Sequence, residues 1–123
     1  MAELQTLEKG QKVVLFVAGV APCGGIDTIK SCTARYIRTV NGVVRENGDI
    51  DKFVPASAAG AVYLSRTFKL DATQTAKILN STVEEGAKIL FDAFKQRGDW
   101  RVKCGMGLAR GIVTQALDWQ AAA

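Results

Sequence analysis

The spacing of hydrophobic positions along the chain changes near Leu70. Before it, apolar runs of strand length are separated by turn residues. Beyond it, apolar residues recur every three or four positions, the spacing of one helix face. Residues 13–20 form an apolar, valine-rich run, the pattern of a strand covered on both faces. Residues 21–27 hold Pro22, Gly24 and Gly25 and read as a loop. Residues 33–40 and 43–50 flank Asn41-Gly42, which predicts a β-hairpin. A helix competes over the same stretch, because Ile29, Cys32, Tyr36, Val40 and Val43 also fall at helical spacing. The hairpin is preferred: Asn-Gly is costly inside a helix, and Thr, Tyr, Ile and Val favour strands. Over residues 61–70, Val62, Leu64, Phe68 and Leu70 alternate with Tyr63, Ser65, Thr67 and Lys69, which predicts a half-buried strand broken only by Arg66.

Asp71 is placed to cap a helix running through Asn80. Ser81 restarts the helix, with Glu84 completing a capping box. Val83, Ala87, Leu90, Phe91 and Phe94 line one stripe of it, Glu84 and Lys88 form an i,i+4 pair, and Gly98 suits the position after its end. Residues 100–104 read as a short last strand and residues 108–119 as a final helix. The predicted fold is α+β: an antiparallel sheet of four to five strands in the N-terminal half, packed against two to three C-terminal helices. At 123 residues, without linker, repeat or low-complexity segment, the chain is expected to form one domain spanning residues 1–123.

Composition narrows the chemistry. The chain has no histidine, which removes the usual general base, the usual metal ligand and every Ser-His or Cys-His nucleophile pair. Its three cysteines, Cys23, Cys32 and Cys104, are an odd number without Cys-x-x-Cys spacing, so neither a disulfide framework nor a zinc site is expected. Free thiols point to a reducing compartment, and the expected location is the cytoplasm or the interior of a virion or other assembly. The apolar run at 13–20 is too short to span a membrane, and Glu3 and Glu8 spoil the basic leader of a secretory signal, so no membrane association is expected. No catalytic residue, metal or cofactor is assigned. Glu46, Asp49 and Asp51 are too few for a calcium loop and read as solvated turn carboxylates.

Two glycine-rich stretches resemble binding loops without completing one. Around Cys23, a phosphate loop lacks its Gly-Lys-Ser/Thr, and a phosphatase loop would need Arg where Ile29 stands. After Cys104, residues Gly105, Gly107 and Gly111 approximate a dinucleotide fingerprint, but too few residues follow for a second strand. What remains is a candidate anion-binding turn made by Gly105, Gly107 and Arg110. Residues 74–89 fail as a helix-turn-helix because Gly86 stands where an apolar residue is needed.

Net charge is +4, with basic residues in two clusters. Lys30, Arg35, Arg38 and Arg45 have Tyr36 among them; Lys95, Arg97, Arg101, Lys103 and Arg110 have Trp100. Cations beside aromatic rings are what single-stranded nucleic-acid surfaces use.

Two function classes follow. The first is a non-enzymatic, self-assembling structural subunit of coat, connector or sheath type, viral or otherwise. The abundance of small apolar residues points to a homo-oligomer, with the expected strand at 61–70 and the last helix as contact elements. The second is a nucleic-acid-binding module in which replacing Arg35, Arg38, Arg97 and Arg101 abolishes binding and leaves the fold intact. A small cysteine-dependent enzyme using Cys23 or Cys104 is a third, weaker reading.

Overall fold

The computed structural model describes residues 4–123. Five strands come first: β1 (Lys12–Val17), β2 (Ala21–Cys32), β3 (Tyr36–Thr39), β4 (Val44–Glu46) and β5 (Lys52–Pro55). They form one antiparallel sheet in the order β4-β3-β2-β1-β5. The helices follow: α1 (Ala56–Val62), α2 (Ala72–Leu79), α3 (Val83–Gln96) and α4 (Gly105–Ala122). The protein is α+β, with the sheet in its N-terminal half. Among the described residues, no helix is long and apolar enough to cross a membrane.

Asn41-Gly42 does turn a hairpin between β3 and β4, with Gly42 at φ +86°, so the competing helix over residues 29–43 is excluded. Residues 21–27, expected as a loop, instead form the first half of β2. The chain reverses one turn earlier, at 18–20, where Ala18 and Gly19 both take positive φ. Pro22 is tolerated in β2 because β3 pairs only with the other half of that strand, from Ile29 onward. Gly24, at φ +77°, lies where the β1–β2 register shifts, a bulge that bends the strand.

Both faces of β1 are buried. Val14 and Phe16 join Val54, Ala59 of α1 and Trp119 of α4 on the convex side. Trp119 packs edge-on to Phe16 and Tyr63, with ring centroids 6.2 and 5.2 Å apart. Val13 and Leu15 join Leu7, Ile29, Ile37 and Phe53 in a second core on the concave side. The sheet curls around this concave core until its edge strands meet at Gln5. The Gln5 side-chain amide donates to the carbonyl of Phe53 in β5 (2.7 Å) and accepts from its N–H (3.1 Å). The backbone of Gln5 makes the same paired contact with the side chain of Asn47, just past β4 (2.7 and 3.1 Å). Two side-chain amides thus stand in for the missing strand-to-strand ladder.

The expected strand at 61–70 is helical. The end of α1 widens into a π-turn over Tyr63–Thr67, with Phe68 N–H donating to the Tyr63 carbonyl. Leu64 and Phe68 are both buried, and their spacing of four is common to a strand face and a helix face. The small residues of 56–61 favour a helix packed tightly on α4, and at Gly60 a Cβ would lie 2.6 Å from the Ala116 carbonyl oxygen. Residues 100–104, expected as a strand, form a 3-10 turn (Trp100–Cys104) capped by Asp99, which accepts from the Arg101 N–H.

Asp71 caps α2 in a capping box with Gln74, and Gly98 follows α3 at φ +66°. The α3 cap is Thr82 rather than Ser81, because the Ser81 hydroxyl donates to the Ile78 carbonyl and closes α2. The Thr82 hydroxyl accepts from the Glu85 N–H and donates to the Glu85 carboxylate, and Glu84 pairs with Arg110 of α4.

Gly60→Ala is expected to lower unfolding free energy by about 2 kcal/mol through overpacking at the α1–α4 crossing. Gly111→Ala, in the exposed middle of α4 with open space around it, should raise it by about 0.5–1 kcal/mol. Urea denaturation of both variants checks the contrast.

Candidate nucleic-acid interface

Strand parity sorts the first basic cluster. In β3, Ile37 and Thr39 point into the concave core, and Tyr36 and Arg38 point outward on the convex side. In β4, Arg45 lies opposite Ile37, while Val44 and Glu46 lie opposite Arg38 and Tyr36 and are exposed. Helices cover the convex face over β1 and β5 through Val14, Phe16 and Val54. Among the described residues, none packs closely on β3 or β4, so the Tyr36–Arg38 side of the same face is bare there.

Arg35, in the turn before β3, and Arg38 both place their guanidinium groups over the Tyr36 ring, 5.3 and 5.1 Å from its centroid. Lys30 is exposed on β2, next to Ser31, which pairs with Arg38. Among the described residues, Lys30, Arg35 and Arg38 have no ion-pair partner. Arg45 is different. It is bound to Asp51 at 3.3 Å, and Asp51 also accepts from the Ala18 N–H. Asp51 is therefore a structural carboxylate rather than a solvated one, and Asp49 closes its own turn by accepting from the Ile50 N–H.

The second cluster is mostly committed to internal contacts. Asp99 is clasped by Arg97 (3.1 Å) and Arg101 (2.9 Å), and its side chain is 9% exposed. Arg97 also donates to the Phe68 and Lys69 carbonyls (2.6 and 3.3 Å), closing the π-turn where Lys69 adopts φ +57°. The Arg101 guanidinium lies over the rings of Phe68, Trp100 and Phe94 at 5.1, 5.1 and 5.6 Å. Arg110 is taken by Glu84 at 2.8 Å. Lys95 sits over Phe91, whereas Trp100 and Lys103 are exposed. Replacing Arg97 and Arg101 would therefore disturb the fold, contrary to the expectation from sequence. The two clusters also lie on separate elements, one on the β3–β4 side of the sheet and one between α3 and α4.

The glycine-rich turn lies at the start of α4, with Gly105 at φ +72° and Gly107 exposed. Its proposed cation, Arg110, faces Glu84. Cys23 is exposed in a cleft of about 590 Å³ at the open end of the concave core, lined by Leu15, Val43 and Phe53. The one arginine there, Arg45, is held by Asp51. Cys104 is exposed, and Cys32 is half-buried against the Gln5 carbonyl.

α2 and α3 pack against each other, and Gly86 of α3 is buried where an added Cβ would lie 2.9 Å from Val113 of α4. The first turn of α3 carries Glu84 and Glu85, whose charge opposes a phosphate backbone. Comparison with protein-family models, with curated proteins and with solved structures finds no match.

Partial burial pushes the Asp99 carboxyl up. The Arg101 N–H, the Arg97 hydrogen bond and the two guanidinium charges outweigh it and hold the group below its ordinary value of 3.8. A depressed carboxyl stabilises the fold above its unfolded value, and that contribution is lost as pH falls through the folded one. Asp99→Asn is expected to lower the denaturation midpoint at neutral pH. The gap from the unsubstituted protein should shrink as pH falls below about 4, as urea titrations at several pH values would show.

Proposed function

We propose that the bare convex face of β3 and β4, with the end of β2 that pairs with β3, binds single-stranded nucleic acid. The observation that carries this reading is the pair of exposed guanidinium groups, neither of them held in an ion pair among the described residues, laid over Tyr36. Arginine planes on a tyrosine offer a flat cationic surface on which a base can stack while the adjoining charges meet phosphate. The face belongs to a sheet, and no helix stands on it to enter a major groove, which favours unpaired strands over a duplex. Lys30 extends the charge along β2. Arg97 and Arg101 take no part, since their guanidinium groups are held by Asp99, by the Phe68 and Lys69 carbonyls and by aromatic rings.

Arg35→Ala combined with Arg38→Ala should leave the fold intact and weaken binding to single-stranded oligonucleotides. The dependence of log affinity on log salt should lose about 1.4 in slope, about 0.7 for each phosphate contact removed. Fluorescence anisotropy over a salt series measures both effects. Unchanged affinity and slope would refute the reading.

A second reading, a self-assembling structural subunit, has its own support. The elements first expected to mediate contact, residues 61–70 and the last helix, bury their main apolar side chains within the protomer. The exposed apolar residues lie elsewhere: Ile50 is 68% exposed beside the turn that carries Val17 and Val20, and Leu4 lines a shallow recess with Lys52 and Arg66. Light scattering at high concentration should show an oligomer that Ile50→Asp shifts toward monomer. A monomer throughout would remove this reading.

A further inference from the structure

Phosphate binding leaves one group on this face unexplained. Glu46 is exposed directly across the ladder from Tyr36, the residue on which Arg35 and Arg38 converge. Its carboxylate forms no ion pair with either arginine, while the Glu46 backbone carbonyl accepts from the Asp49 N–H. On a surface serving phosphate alone, such a carboxylate would only repel the ligand.

An ionised carboxylate accepts hydrogen bonds and donates none. A base stacked over the Tyr36 platform turns its Watson–Crick edge outward, where a neighbouring side chain can read it. Guanine presents two adjacent donors there, N1–H and the 2-amino group, which match the two carboxylate oxygens side by side. Cytosine and adenine present one amino donor beside an acceptor nitrogen that would face the second oxygen. Uracil and thymine present a single N–H between two carbonyls.

We infer that Glu46 is a specificity-determining residue that selects guanine at the base-stacking position. The inference rests on the nucleic-acid reading above.

The test is anisotropy with a short oligouridine and with the same strand carrying one central guanine, adenine or cytosine. The unsubstituted protein, Glu46→Ala and Glu46→Gln are compared, with circular dichroism confirming that each variant folds. The protein should bind the guanine strand about tenfold more tightly than oligouridine, the discrimination of a modest bidentate contact. Glu46→Ala should erase that preference and bind oligouridine more tightly, because the repulsion is gone. Glu46→Gln should also lose most of the preference. Equal affinity of the unsubstituted protein for all four strands overturns the inference and leaves the nucleic-acid reading standing. A guanine preference that survives in Glu46→Ala overturns it equally. Absence of binding to every strand overturns both.

Discussion

An antiparallel sheet with two free edges presents backbone donors and acceptors that need partners, and in this protein one residue serves both edges. Gln5 offers its side-chain amide to Phe53 on β5 and its backbone to Asn47 beyond β4. Each contact reproduces the two-bond geometry of a strand neighbour, so the sheet closes without another strand and its edges are blunted against other chains. Closure sets the curl, and the curl creates the concave core of Val13, Leu15, Ile29, Ile37 and Phe53. Thr39 and Ile37 then face inward, and Tyr36 and Arg38 are obliged to face out.

The helical layer completes the division of labour. It reaches the sheet through Trp119 and Ala59 and covers the convex face over β1, β5 and the neighbouring part of β2 around Ile26. The uncovered remainder carries Tyr36, Arg38 and Glu46, with Val44 exposed among them. The other basic residues show the opposite use of charge. Arg97 and Arg101 gather Asp99, two backbone carbonyls and three aromatic rings into the joint between the π-turn and α3. Two clusters of similar composition thus do unrelated work, one structural and one facing solvent.

That difference was not legible in the sequence. Arg35 and Arg97 stand in comparable surroundings along the chain, and the carbonyls that Arg97 binds lie nearly thirty residues away, at Phe68 and Lys69. The class of fold was legible, because the Asn41-Gly42 turn, the apolar run of β1 and the Asp71 cap each act locally. Errors arose where two periods coincide, as for Leu64 and Phe68, or where two neighbours compete for one role, as Ser81 and Thr82 do for the α3 cap. Glycine misled in β2, where Gly24 and Gly25 mark a bulge within a strand rather than a loop. Glu46 was read as a solvated turn residue, and only the register with Tyr36 places it on the basic face.

The π-turn at Tyr63–Thr67 makes the spacing of the chain there as consequential as its chemistry. It holds one residue more than an α-helical turn, and the side chains on either side face the core because of that extra residue. Removing any one of these five residues would let the helix run regular and swing Phe68, at its end, about 100° around the axis, away from Phe94. The length of this turn is therefore as strict a requirement of the fold as the burial of Leu64 within it.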